Sequence, residues 1–342
     1  MKVPLDQRDY EDIYFNRSYV LIVGFPGQDE PSLFVDHLRT SFSVNRSLEP
    51  FPDTAFVEIY NLSREAKNRL YEATARTEVE NFIGGVGVRA IGDSGELIGE
   101  DEPFSFQEVT LSTPSINFRA GYQGNNESII RGDITQVFTS KSGTDIITSF
   151  DIGDSLVAFT DAKVNMSFGP GARYIDVLNQ LLLSLDMDVA YSDNQAYLQS
   201  IINFDDVFPH GIVLSGMAKD QLDKLLNRQG LTWSIQGQKV QILPPNEPIP
   251  EPPIIVDKFT GLVGSPFDIR VLEDPAYPRF NNQELKSGVH LRSLLNPEIK
   301  PGRRIDVWSQ TSNGSFIVTK LRHWGDTHEN PWYTDVIAER IS

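Results

Sequence analysis

Two histidines and an aspartate near the carboxyl end have a spacing that could hold a metal ion. His323 and His328 stand five residues apart, with Asp326 between them, and imidazole nitrogens with a carboxylate are ordinary zinc ligands. The plainer reading is a polar loop between two strands, and it is preferred. Glu100-Asp101-Glu102 and Asp205-Asp206 could attract a cation. Neither follows a calcium-loop pattern, and solvated acidic loops fit them better. His37, His210 and His290 lie in separate contexts with no recurring acidic partner. A glycosidase needs two carboxylates facing across a cleft, which spacing along the chain does not define. No Gly-rich run ends in Gly-Lys-Ser/Thr, and Gly84-Gly85-Val86-Gly87 leads into no nucleotide-binding helix. Nucleophile-elbow and His-Glu-x-x-His motifs are missing. The chain has no cysteine, so disulfides, thiolate metal sites, iron–sulfur clusters and thiol nucleophiles are excluded. Asn126-Glu127-Ser128 and Asn313-Gly314-Ser315 match glycosylation sequons without an export signal to support their use. No residue is assigned a catalytic, cofactor-binding or metal role, and no cofactor is expected.

The charge balance narrows the partners. The 342 residues include 47 acidic and 30 basic ones, a formal charge of -17. Residues 251–342 hold 12 acidic and 11 basic side chains, a net of -1, which leaves -16 to residues 1–250. Nonspecific DNA binding needs clustered Lys and Arg, so a DNA binder is disfavoured, while a conduit for DNA is not. The first twenty residues carry Asp6, Arg8, Asp9, Glu11 and Asp12 and read as no signal peptide. No apolar run approaches the roughly 18 residues of a membrane helix, so no stable membrane insertion is expected. Of the four tryptophans, Trp233 reads as core, Trp308 as core or interface, and Trp324 and Trp332 as anchors of a loop or contacts to a partner.

These groups must be positioned by strands for the most part. Tyr19–Val23, Leu38–Val44, Ala55–Tyr60, Ile116–Gly121, Ser128–Phe138 and Thr144–Asp151 read as strands, with two more at Val86–Ile91 and Ser105–Leu111. Asn61-Leu62-Ser63 closes one of them, and Ser63 suits an N-cap for a helix over Arg64–Ala75. The stretch near 83–114 reads as an insertion. The middle changes character. Arg173–Leu185 places Ile175, Leu178, Leu181, Leu182 and Leu185 at helical spacing. Ile201–Phe204 resembles a short strand. Ser215 or Gly216 starts a second helix presenting Met217, Leu222, Leu225 and Leu226, with Gly230 as its C′ residue. Leu231–Ile235 and Lys239–Leu243 flank Gln236-Gly237-Gln238 as a hairpin. Six prolines within residues 244–253 mark a stiff linker. After it, Ile254–Val256, Gly261–Pro266 and Phe267–Val271 are short β segments, and His290–Leu295 is a strand or a turn-like element. Arg304–Ser309 and Ser315–Leu321 pair through Asn313-Gly314, and Trp332–Arg340 closes the set.

The order of these parts, with several short motifs, resembles the baseplate hub proteins of tailed bacteriophages and related contractile injection systems. Ala55–Ser63 (Ala-Phe-Val-Glu-Ile-Tyr-Asn-Leu-Ser) looks like that family's first-domain strand. Phe118-Arg119-Ala120-Gly121-Tyr122 and Ile130-Arg131-Gly132-Asp133-Ile134 are similar to its paired strands. Leu214–Leu243 is similar to its middle module. Leu294-Leu295-Asn296-Pro297, Pro301-Gly302 and His323-Trp324-Gly325-Asp326 resemble its final barrel. The resemblance runs from roughly residue 38 to the end, and departs from the pattern at Ile83–Pro114.

The resemblance implies a mainly β fold with an α+β middle: two tube-like antiparallel β-barrel domains flanking a small α+β module. The expected bounds are 1–160 for the first barrel, 161–243 for the α+β unit, 244–253 for the linker and 254–342 for the second barrel. It implies a structural, non-enzymatic hub in the virion, at the phage tail baseplate, made in the host cytoplasm. Three copies would form a homotrimeric ring that adapts a sixfold tail tube to a threefold central spike and lines the DNA ejection channel. Implied partners are tail tube or distal tail proteins, the spike, other baseplate proteins including wedge proteins, and the tape measure protein. DNA would pass without specific binding, and the acidic excess before residue 250 is expected to contribute to the lumen. Two other classes stay open: a baseplate-associated cell-wall hydrolase, and a host glycan- or receptor-binding tail protein.

Overall fold

Alternation of apolar and polar residues dominates the chain, and it builds sheets. The computed structural model describes residues 16–24, 33–68, 70, 114–190, 195–271 and 286–341. The first region holds β1 (Arg17–Gly24), β2 (Leu33–Val35), β3 (Thr40–Ser47), β4 (Thr54–Tyr60), β5 (Ser115–Tyr122), β6 (Asn125–Ser142) and β7 (Asp145–Gly153). In β4, Ala55, Val57 and Ile59 are buried while Phe56, Glu58 and Tyr60 are only half-buried, as a sheet with one face on a core requires. Ser63 caps the chain after β4: its Oγ accepts the Ala66 N–H at 3.1 Å, and residues 64–68 are helical. The expected continuation of that helix, the strands at Val86–Ile91 and Ser105–Leu111, and nearly all of the insertion near 83–114 lie outside the described residues.

The middle region holds α1 (Leu156–Asp161), β8 (Lys163–Phe168), β9 (Ala172–Arg173), α2 (Tyr174–Ser184), β10 (Asp188–Val189), α3 (Gln195–Ile201), β11 (Val207–Phe208), β12 (Ile212–Met217), α4 (Ala218–Arg228), β13 (Thr232–Ile235) and β14 (Lys239–Leu243). Val177, Leu178, Leu181 and Leu182 of α2 and Leu222, Leu225 and Leu226 of α4 share one core with Trp233 and Ile235. The α4 terminus is a Schellman motif: Leu231 N–H reaches Leu226 O at 3.1 Å and Gly230 N–H reaches Asn227 O at 3.0 Å. Two expectations fail here. Ser215 and Gly216 do not start a helix; they belong to β12, paired with Asn165 and Val164 of β8. Gly216 has φ +111, which a helical turn excludes, and the helix begins at Ala218. Ile201–Phe204 is not a strand, because α3 runs to Ile201 and the Asn203 side chain then accepts the Asp205 N–H at 3.1 Å in an Asx turn.

The last region holds β15 (Ile254–Val256), β16 (Leu262–Val271), β17 (Lys286–Leu294), β18 (Arg304–Trp308), β19 (Asn313–Asp326) and β20 (Trp332–Arg340). The two segments expected within 261–271 merge into β16, with an irregularity between Val263 and Phe267. Asn313-Gly314 is not the turn between β18 and β19. Both residues already pair with Trp308 and Val307, and the turn is held by Ser309, whose Oγ donates to Ser312 O at 2.6 Å. The proline-rich segment is docked: Ile249 is buried and its N–H donates to Gly302 O at 2.9 Å.

One sheet joins the first and last regions. Its strands run β16-β17-β20-β19-β3-β4-β7-β6-β5-β1-β2, with β15 and β18 attached beside β19. The long β19 makes the connection. Its first residues pair with β18, and Lys320–Asp326 pair antiparallel with Ser41–Ser47 of β3. The result is a mainly β protein with a small α+β part and several sheets. Among the described residues no strand pairing closes the path into a barrel. Side chains do tie the β18–β19 turn to β16, through Thr311 Oγ1 to Pro266 O at 2.6 Å and Ser312 Oγ to Asp268 at 2.7 Å. Among the described residues no helix is long and apolar enough to cross a membrane.

Candidate functional site

The suspected metal ligands are not brought together. His323 points into the core with no solvent exposure, its Nδ1 2.9 Å from Thr334 Oγ1. Burial, with Arg46 and Lys300 nearby, pushes its pKa down to about 3, so the ring is neutral. His328 faces solvent beside Thr327. Asp326 is occupied by protein groups: its Oδ1 accepts the N–H of His328 at 2.7 Å and of Glu329 at 3.1 Å, and its Oδ2 takes Arg39. Asp206 pairs with Arg228 at 3.2 Å. Asp36 holds His37 at 2.7 Å, and His290 stacks edge-on against Phe267. The run at Glu100-Asp101-Glu102 lies outside the described residues. Among the described residues no three His, Cys, Asp or Glu side chains converge as metal ligands.

What the chain does build are two junctions between its parts. At the strand seam, where β19 meets β3, the last region supplies core to the first. Trp332 is buried against Phe42, with ring centroids 5.1 Å apart, and its Nε1 donates to Gly121 O at 3.1 Å. Arg17 stacks over the same ring and donates to the carbonyls of Asp326 and Asn330 at 3.2 and 2.8 Å. Arg39 holds Asp326 at 2.9 Å and also pairs with Glu329. Burial would raise the Asp326 carboxyl, but Arg39 and the two N–H donors carry it below the usual carboxylate value.

At the hairpin junction, the tip of β13–β14 plugs into the first sheet. Gly237 and Gln238 both have positive φ, 63 and 67, which is a type I′ turn. Their N–H groups donate to the Asp154 carboxylate at 2.6 and 2.8 Å. Gln236 bridges outward, accepting from Arg46 at 2.8 Å and donating to Ser47 O at 2.8 Å. Arg46 pairs with Asp53 at 3.0 Å, and Asp53 also accepts the Ser47 N–H at 3.0 Å. Nothing at sequence level singled out Arg46, Asp53 or Asp154. They are scattered along the chain, and only folding makes them neighbours.

The uninterrupted sheet presents a face opposite its cores. Ladder pairs and burial put Phe267, His290, Arg292, Tyr333, Asp335, Lys320, Arg322, Trp324, Asn45, Ser43, Phe56, Glu58, Asp151 and Phe138 on that side. Ion pairs on this face join Arg292 to Asp335 and Lys320 to Glu49, while Arg322 donates to Ser43 and Glu58 accepts from Ser41. Arg292 holds Asp335 at 2.6 Å and lies over Trp324, whose Nε1 donates to Asp335 at 2.9 Å. Glu339, Asp145 and Asp133 extend the same side by the same ladders. Among the described residues, two strands have an unpaired edge. Residues 136–142 of β6 pair only with β7, and β16 pairs only with β17, among the described residues. Trp308, on β18, is 61% exposed.

No protein-family model matches the chain, and no curated protein matches it. Solved structures do. A 43 kDa tail protein of prophage MuSo2 from Shewanella oneidensis superposes with a TM-score of 0.55 at 9% identity, covering 94% of this chain and 98% of that one. A tail protein from Neisseria meningitidis MC58 gives 0.56 at 10% identity, covering 94% and 96%. The Escherichia coli c3393 protein is described as a type VI secretion component with structural similarity to the T4 tail proteins gp27 and gp5. It gives 0.51 at 10% identity, covering 94% and 77%. At such identities the likeness shows a shared fold, extending over nearly the whole of this chain.

Proposed function

We propose that this chain is a structural hub of a phage-type tail tip. Three copies form a ring that joins a sixfold tail tube to a threefold central spike. The observation that carries the reading is the sheet shared by the two β regions, with one open face and, among the described residues, unpaired edges on β16 and on residues 136–142 of β6. Strands β16, β17, β20 and β19 supply one half, and β3, β4, β7 and β6 the other. A chain with two such halves offers six similar units when three copies meet, which matches sixfold and threefold symmetry in one object. Unpaired edges on two different strands suit heterologous, head-to-tail contacts that close a ring. The fold shared with phage tail proteins supports the same reading.

In this reading the open sheet face lines the channel through which DNA leaves. Its Arg292–Asp335 pair, hydroxyls and further carboxylates offer no cluster of cations to grip phosphates. Tail tube or distal tail proteins meet one side of the ring. The spike and other baseplate proteins meet the other, and the tape measure protein ends nearby. The chain resides in the virion baseplate and acts without catalysis.

Mass photometry across a concentration series, with and without a tube partner from the same particle, tests the assembly. Rings of three copies are expected. A stable dimer, or copies that stay single even on the tube partner, would overturn the proposal.

A further inference from the structure

The hairpin junction brings two buried carboxylates beside one buried guanidinium. Asp53 and Asp154 are almost fully buried, at 3% and 1% exposure, and Arg46 at 8%. A small pocket of about 30 Å³, open on one side, is lined by Arg46, Asp53, Ser128, Arg131, Asp154 and Gly237 among others. The charged and titratable groups facing it come from every packed element. β3 gives Arg46, and the β3–β4 loop gives Asp53. β6 gives Arg131 and Asp133, the segment after β7 gives Asp154, and β19 gives the neutral ring of His323. The hairpin tip itself offers Gln236, Gly237 and Gln238, which carry no charge. Fully ionised, two buried carboxylates, Asp53 and Asp154, would share one buried guanidinium, with Asp133 half-buried and Arg131 exposed beside them.

We infer that this junction is a proton-sensitive latch: a proton on Asp53 relieves the repulsion between the two buried carboxyls while Asp154 goes on accepting the Gly237 and Gln238 N–H groups, and loss of that proton loosens the β13–β14 tip. Geometry provides the cluster and the contact it controls, since the tip is fastened through Asp154 and through Gln236 to Arg46 and Ser47. Burial pushes Asp53 up to about 7, against the pull of Arg46 and with a further push from Asp154. Burial likewise carries Asp154 to about 6 in spite of its N–H donors, and Asp133 to about 6. Unfolded aspartates titrate near 3.9. The folded junction therefore binds more protons than the unfolded chain between roughly pH 4 and 7, and stability falls as pH rises through that window. The stabilisation is fully present below the unfolded value and is lost as pH passes the folded ones.

Hydrogen exchange read by mass spectrometry on the full chain tests the latch, with labelling times scaled for intrinsic exchange. The peptide spanning 232–243 is compared with the α2 peptide at about pH 5.5 and about pH 8. Protection of the hairpin relative to α2 is expected to drop about tenfold or more at the higher pH, as a shift of one pKa unit or more implies. Asp154→Asn and Asp53→Asn should each flatten that dependence. Should either fail to fold, Asp133→Asn removes a repelling charge without touching the hairpin's own bonds, and it should lessen the drop. A pH-independent ratio, a drop toward acid, or an unchanged dependence in the variants that fold would overturn the inference.

Discussion

At the strand seam, Arg39 meets Asp326 where Glu329 stays open to water; at the hairpin junction, Arg46 meets Asp53 with both side chains buried. The residue types are the same and the electrical outcome is opposite. Asp326 has several donors, an arginine and two backbone N–H groups, and stays ionised more readily than a free aspartate. Asp53 and Asp154 share Arg46 and repel each other in a buried space, so their protons are held more tightly. Charge count and solvent access, not the presence of a salt bridge, decide the sign. The seam is built to stay fixed, while the hairpin junction can respond to its surroundings.

The largest effect is expected from Trp332→Ala. It would hollow the first core from a strand of the last region and cost about 3–5 kcal/mol in denaturant unfolding. If the seam truly fuses the two β regions, they should still unfold in one transition; two separate transitions would break the comparison. Arg46→Met comes next. Leaving Asp53 buried without its partner should cost about 3 kcal/mol or more, and the loss should grow as pH rises, because the unpaired carboxyl is harder to ionise.

Much of the middle unit was legible from local pattern. The leucines of α2, the β13–β14 hairpin and Gly230 all follow from spacing within a dozen residues, as does the Ser63 cap in the first region. The errors were local too: Ser215 looks like a cap, and nothing short-range says that Ile212–Met217 will pair with Lys163–Phe168. The seam was illegible for a deeper reason. Strand alternation tells which side of a strand is buried but not which strand lies beside it. The pairing of β19 with β3 joins residues some 280 positions apart. Trp332 could be read as loop anchor or partner contact; the core it fills belongs to strands from the far end of the chain. The buried Asp53 and Asp154 looked like any of 47 acidic residues.

Asp326→Asn separates the two junctions by sign. It should cost about 1–2 kcal/mol at neutral pH. The cost should vanish as pH falls through the native Asp326 pKa, because a depressed carboxylate stabilises only while ionised. A pH-stability profile of both this variant and Asp154→Asn should show slopes of opposite sign. Smallest of all is Lys300→Ala, which cuts a solvent-exposed bridge to Glu127. Its effect should stay within about 0.5 kcal/mol and fade with added salt.

An image of the chain in its assembled tail tip, at a resolution that traces strands, tests the central reading most directly. The expected picture is a ring of three copies, with β16 of each beside residues 136–142 of a neighbour's β6 and the Arg292–Trp324–Asp335 face turned to the channel. A ring with another copy number, or one whose channel is lined by the α+β unit instead of this sheet, would contradict it.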